Sequence, residues 1–173
     1  MTLVGLDLNC GRARAVAGPA ARAPGLVHLD GDRAELSLAI ALDDRAPRVG
    51  RAGFALLRAR PHLVCADYLP ALGSMATWGS DRHRLDPEQA LSLALAGLAD
   101  TLKHTAGIVC TLPAYLDEPK IARFTRLAEA SKLPILGSLS SALAAVLASP
   151  VVADAHAEPG LILVIEADTH AVT

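Results

Sequence analysis

Aromatic side chains are scarce in this chain: two Tyr, two Phe and one Trp make 3 % of its 173 residues. Stacked rings therefore cannot build the core. It has to be layered from Ala, Leu and Val, which supply most of the 52 % hydrophobic content. Basic charge is short as well. Sixteen Lys and Arg against eighteen Asp and Glu leave a net charge of −2, with no lysine run. That balance argues against nucleic acid and membrane surfaces as partners. Long apolar runs are missing too, none reaching the ~18 residues of a membrane helix. The first residues, MTLVGLDLN, lack the basic start and cleavage site of a signal peptide and read directly as a strand. A cytoplasmic location is expected.

Cysteine is sparse and unpaired in pattern. Cys10, Cys65 and Cys110 are odd in number and form no C-x-x-C motif, so they read as reduced structural residues. The six histidines show no metal spacing. His83 beside Asp81, and His156 beside Asp154, read as solvated loop residues. What is present suffices for one compact α/β domain, or two small subdomains sharing a core, because a chain this long buries roughly 70 % of its unfolded surface.

The opening third reads as an antiparallel meander. Residues 3–8 and 13–17 are strands at hairpin distance, and 25–29 follow as a third. Asp30-Gly31 is a turn dipeptide, and residues 35–42 (ELSLAIAL) read as one further strand. Residues 52–60 predict a short helix stopped at Pro61, whereas 72–85 have no period and predict a loop. Asp86 as N-cap, Pro87 in the first turn and Gln89 completing a capping box start a helix that runs to about His104. Leu91, Leu95, Leu98 and Leu102 give it one buried face. A strand at 107–112 follows, then a helix at about 118–131 with Ile121, Phe124, Leu127 and Ala128 inward. Ile135 and Leu136 predict a short strand, 140–148 a small-residue helix, and 161–166 (LILVIE) a central strand. Strands alternating with helices add a parallel portion to the meander. The expected class is α/β with a ribonuclease H-like fold.

Several segments carry a family resemblance. Residues 4–9 (VGLDLN) are similar to the phosphate-1 strand and turn, G-[IL]-D-L-G-T-T, of the actin and heat-shock ATPase superfamily. Residues 107–116 (GIVCTLPAYL) resemble the chaperone segment in which an apolar strand leads into V-P-A-Y-F. Residues 140–147 align with N-E-P-T-A-A-A-L, and 161–173 stand where the family places its phosphate-2 strand and D-L-G-G-G-T-x-D loop. Pro61 and Gly73 match residues bracketing a lysine-bearing segment. The chain thus resembles the first lobe of the ATPase domain of seventy-kilodalton heat-shock chaperones over essentially its whole length. Residues 30–85 would be a small inserted subdomain.

The resemblance implies ATP and Mg²⁺ as family cofactors, and positions for binding them. In such sites catalysis is positioning and charge neutralisation. Asp7, Asn9, Cys10, Gly11, Glu166 and Asp168 occupy the phosphate-turn positions, and Asp7 and Glu166 are the acids that would face a hydrated Mg²⁺. Asn9 replaces the turn glycine, and tolerance of a left-handed backbone would let it keep the turn. Cys10-Gly11 replaces the threonine pair, Leu69 the catalytic lysine, and Ser141 and Leu143 the glutamate and threonine of N-E-P-T. Ala167, Asp168, Thr169 and His170 replace the phosphate-2 glycine loop, where Asp168 would repel phosphate. Arg12 is a further loop cation, read as solvated. The expectation is therefore a lobe with a degenerate ATP site. Its partner would be a second ATPase lobe or another protein, and self-association through the exposed cleft face is also expected. The alternative is a non-catalytic scaffold that keeps the fold only. A ribonuclease H-like nuclease would need converging carboxylates around two metals, and only Asp7 and Glu166 stand out.

Overall fold

The protein is described by a computed structural model covering residues 2–19, 21–80, 83–150, 161–168 and 170. Strand β1 (Leu3–Leu8) alternates strictly, with Val4, Leu6 and Leu8 buried and Leu3, Gly5 and Asp7 outward. It turns at Asn9–Gly11 into antiparallel β2 (Arg12–Gly18), with Asp7 opposite Arg14. The far side of β2 is shared by two short strands. β3 (Gly25–Val27) pairs with residues 15–17, and β4 (Glu35–Ser37) pairs with residues 12–14.

The segment expected to be a single strand over 35–42 is divided. After β4 the chain leaves the main sheet, and β5 (Ile40–Ala41) joins a separate three-stranded sheet with β6 (Arg48–Val49) and β7 (Val64–Cys65). The crossing residues find backbone partners on the way. Leu38 N–H donates to the Gly11 carbonyl, and the Ala39 carbonyl accepts from Gly50 N–H. Residues 38–42 are all buried, so the alternation of a one-faced strand is absent here. Helix α1 (Arg51–Ala59) follows β6, and a 3₁₀ turn at Pro61–Leu63 precedes β7.

The expected loop over 72–85 also differs. It holds an antiparallel pair, β8 (Trp78–Ser80) and β9 (His83–Leu85), each too short to show a period. His83 is therefore a strand residue, and its Nε2 lies 2.7 Å from the Asp44 carbonyl. His156 and Asp154 lie outside the described residues.

Helix α2 (Pro87–Leu102) starts on the expected capping box. Asp86 accepts from Gln89 N–H at 2.8 Å, and Gln89 Oε1 accepts from Asp86 N–H at 3.0 Å. Its buried face includes Leu91, Leu95, Leu98 and Leu102. β10 (Gly107–Leu112) then returns parallel to β1, with Asp7 beside Thr111. Helix α3 (Glu118–Ala130) buries Phe124 and Ala128 and is capped by Asp117. β11 (Ile135–Ser140), longer than the two residues expected, pairs parallel with β10 and leads into α4 (Ser141–Ala148). The main sheet thus has the order β11-β10-β1-β2-β3, with β4 beside β2. It is a mixed sheet of parallel and antiparallel strands in an α/β fold. Its inner side, lined by Val4, Leu6, Leu8, Ala13, Ala15, Ile108, Cys110 and Leu112, belongs to one apolar core with α2 and α3.

Residues 161–166 are not a strand of this sheet. β1 and β10 pair with each other directly, so no place between them remains. Among the described residues, no helix is long and apolar enough to cross a membrane.

Candidate functional site

The parallel strands β1 and β10 end side by side, and the polar residues of interest gather there. Alternation in β1 turns Asp7 away from the core. Register then sets Thr111 on one flank and Arg14 on the other. Thr111 Oγ1 donates to Asp7 Oδ1 at 2.6 Å. The Arg14 guanidinium is directed to Glu35, with contacts of 2.7 and 3.0 Å to Oε2. Glu35 also draws Arg12, whose Nη1 lies 3.6 Å away. Arg12 is thus held by an ion pair rather than simply solvated, and its Nε is buried without a hydrogen-bond partner.

The turn after β1 works differently from expectation. Asn9 does not adopt a left-handed backbone, because among described non-glycine residues only Asp67 and Lys132 have positive φ. Its side chain closes the turn instead. Asn9 Oδ1 accepts from Gly11 N–H at 3.0 Å and from Arg12 N–H at 2.9 Å. The remaining amide, Cys10 N–H, donates to Asp168 Oδ2 at 3.4 Å. Every backbone donor of residues 10–12 therefore has an acceptor from the chain itself. One of those acceptors is a carboxylate brought from 158 residues away.

Asp168 is anchored further by the Tyr115 hydroxyl at 2.9 Å and by His170 N–H at 2.8 Å. The Tyr115 and His170 rings meet edge to face, 5.1 Å apart at 68°. Burial, followed by the hydrogen bond to Asp168, pushes the Tyr115 hydroxyl far above its ordinary range. It stays a proton donor to the carboxylate. Glu166 lies nearby, accepting from Ala114 N–H at 3.2 Å just beyond the end of β10. Asp7, Asn9, Cys10, Gly11, Glu166 and Asp168 are thus collected at one end of the sheet, although 161–166 is not the strand expected to deliver the last two. A cavity of about 310 Å³ opens beside them, lined by Asn9, Arg12, Glu35, Ser37, Phe54 and Asp168 among others.

Other positions fall elsewhere. Leu69 is wholly buried in the core. Ser141 begins α4 with its hydroxyl buried and unpartnered, and Leu143 is exposed on the same helix. Thr169 lies outside the described residues. Among the described residues no three His, Cys, Asp or Glu side chains converge as a metal cluster. Two contributors escape the sequence reading. Thr111 is a site residue only through the β1–β10 register, which a single strand does not reveal. Tyr115 sits within the Leu-Pro-Ala-Tyr run, but its role depends on Asp168 arriving from the far end of the chain. No protein-family model matches the chain, and no curated protein matches it in sequence.

Proposed function

We propose that this chain is the first lobe of a heat-shock-chaperone-like nucleotide-binding domain of ribonuclease H-like, actin-like fold, with a degenerate ATP site. The strand order supports the reading: an antiparallel β1-β2-β3 meander extended by parallel β10 and β11. So does the place where the polar residues meet, the carboxyl ends of adjacent parallel strands, where such sheets gather ligand groups.

The observation that carries the degenerate part is the closure of the turn at residues 9–12. A phosphate cradle works by offering free backbone N–H groups to an anion. Here Asn9 and Asp168 already accept from all three, and the Asp168 carboxylate stands on the turn with its own negative charge. An incoming phosphate would have to displace both acceptors and meet no lysine, since Leu69 is core. These residues do not fit a nucleotide phosphate, and Asp7 and Glu166 alone make a thin Mg²⁺ site. The same closure favours the second reading, a scaffold that keeps the fold for contact with another lobe or protein. A phosphate-release assay with Mg-ATP tests the proposal. Turnover should not exceed the protein-free rate; turnover that disappears in Asp7→Asn would contradict it.

A further inference from the structure

Of the five aromatic side chains, Phe54 alone is exposed, at 59 %; Tyr68 and Phe124 are buried, and Trp78 and Tyr115 half-buried. Phe54 stands on α1 and lines two cavities at once. One is the cavity of about 310 Å³ beside Asp168. The other, about 550 Å³, lies over β2, β4 and the start of α1, and shares Phe54, Glu35 and Ser37 with the first. Its volume falls within the roughly 300–1,000 Å³ of small-molecule sites. Leu26, 72 % exposed, gives it a second apolar surface.

Three guanidinium groups line the larger cavity, and they are not equally engaged. Arg14 is held by Glu35. Arg51 reaches Asp32, a carboxylate 85 % exposed, so that pair is weak in water. The Arg33 side chain forms no hydrogen bond or ion pair among the described residues. Its backbone is nonetheless fixed: its N–H donates to the Asp30 carbonyl, and its carbonyl accepts from the Leu29 and Asp30 N–H groups. Hydrogen bonding by Arg51, with the charge of Arg33 added, lowers the Asp32 carboxyl from its ordinary value. An anion beside these two residues therefore feels both cations. Against three cations the lining carries two carboxylates, Glu35 and Asp30, and Asp30 is engaged by the Arg51 N–H at 3.0 Å. Arg12 and Asp32 pair with these groups from outside the lining; including them makes four cations against three carboxylates. The excess is one positive charge either way.

We propose that this cavity binds a small aromatic carboxylate, its carboxylate on Arg33 and Arg51 and its ring against Phe54 and Leu26. A guanidinium fork matches the two oxygens of a carboxylate. A flat ring meets the exposed Phe54 ring in an offset or edge-to-face contact. A monoanion balances the single excess charge, whereas a phosphate dianion would exceed it beside Glu35 and Asp30. The site uses no group of the turn at residues 9–12, so it stands whether or not the proposed function holds.

Calorimetric titration of the 173-residue chain with cinnamate tests this. Saturable binding of one cinnamate per chain is expected. Cinnamyl alcohol, which keeps the ring and lacks the charge, should bind at least about tenfold more weakly. Acetate, which lacks the ring, should give no heat of binding. Arg33→Gln and Phe54→Ala should each weaken cinnamate by about tenfold. Neither should change the ligand-free melting temperature, since both side chains are exposed. Arg33→Gln decides alone if the Phe54 variant fails to fold. No binding of cinnamate overturns the proposal. So does binding that both variants leave intact, or that is lost instead in Arg84→Gln, a change in the cavity at the start of α2. Tighter binding of phenyl phosphate than of cinnamate would overturn the assignment to a carboxylate.

Discussion

Asn9 shows how one side chain changes the meaning of a turn. The sequence alone allows it to stand in for glycine by backbone conformation. In the fold it acts by hydrogen bonding, and the turn loses its free donors as it gains order. Tyr68 is the opposite case, wholly buried with a hydroxyl that has no partner. An unpaired buried oxygen is a cost rather than a support, so Tyr68→Phe should leave the urea midpoint unchanged or raise it. A loss of more than about 1 kcal/mol would mean that the hydroxyl is bonded after all. The buried thiols predict a pH dependence. Burial pushes Cys65 and Cys110 from 9.0 up to about 12. The folded state then keeps its protons while the unfolded state releases them. Stability should hold below about pH 9 and fall from there toward pH 12, by up to about 1.4 kcal/mol per pH unit per thiol. Urea titrations across that window check it; a flat profile would mean that the thiols are reached by water.

Among the elements, legibility tracked length and period. Helix α2 announces itself through leucines at helical spacing and the Asp86 capping box, α3 through the inward positions Ile121, Phe124, Leu127 and Ala128, and both formed where expected. The capping box of α2 can be weighed directly. Asp86→Ala should cost about 1 kcal/mol of stability in thermal or urea melts. The divided strand at 35–42 was not legible, because burial on all sides erases alternation and the change of sheet depends on a carbonyl and an amide far apart in sequence. β8 and β9, three residues each, are shorter than any window that reveals a period. Helix α1 hides a constraint of the same long-range kind. Replacing Gly by Ala inside a helix normally gains roughly 1 kcal/mol. A Cβ on Gly53 would instead run into the Ala39 carbonyl. Gly53→Ala is expected to lower the urea midpoint, reversing the usual sign; a gain in stability would show that α1 can move away from β5.

For the whole molecule, strand direction was readable before the fold was known and residue meetings were not. The meander and the parallel return of β10 follow from turn spacing and helix placement. The arrival of Asp168 on Cys10, across 158 residues, follows from neither. It is also what decides the candidate site, since it fills with a carboxylate the place where the family resemblance would put a phosphate. The most direct test is therefore thermal unfolding with and without millimolar Mg-ATP. A ligand at ~100 times its dissociation constant stabilises the folded state by about 2.7 kcal/mol, which moves a melting temperature by several degrees. With the turn closed by Asn9 and Asp168, no shift is expected. A rise of several degrees that vanishes in Asp7→Ala would contradict the account and show a working phosphate cradle.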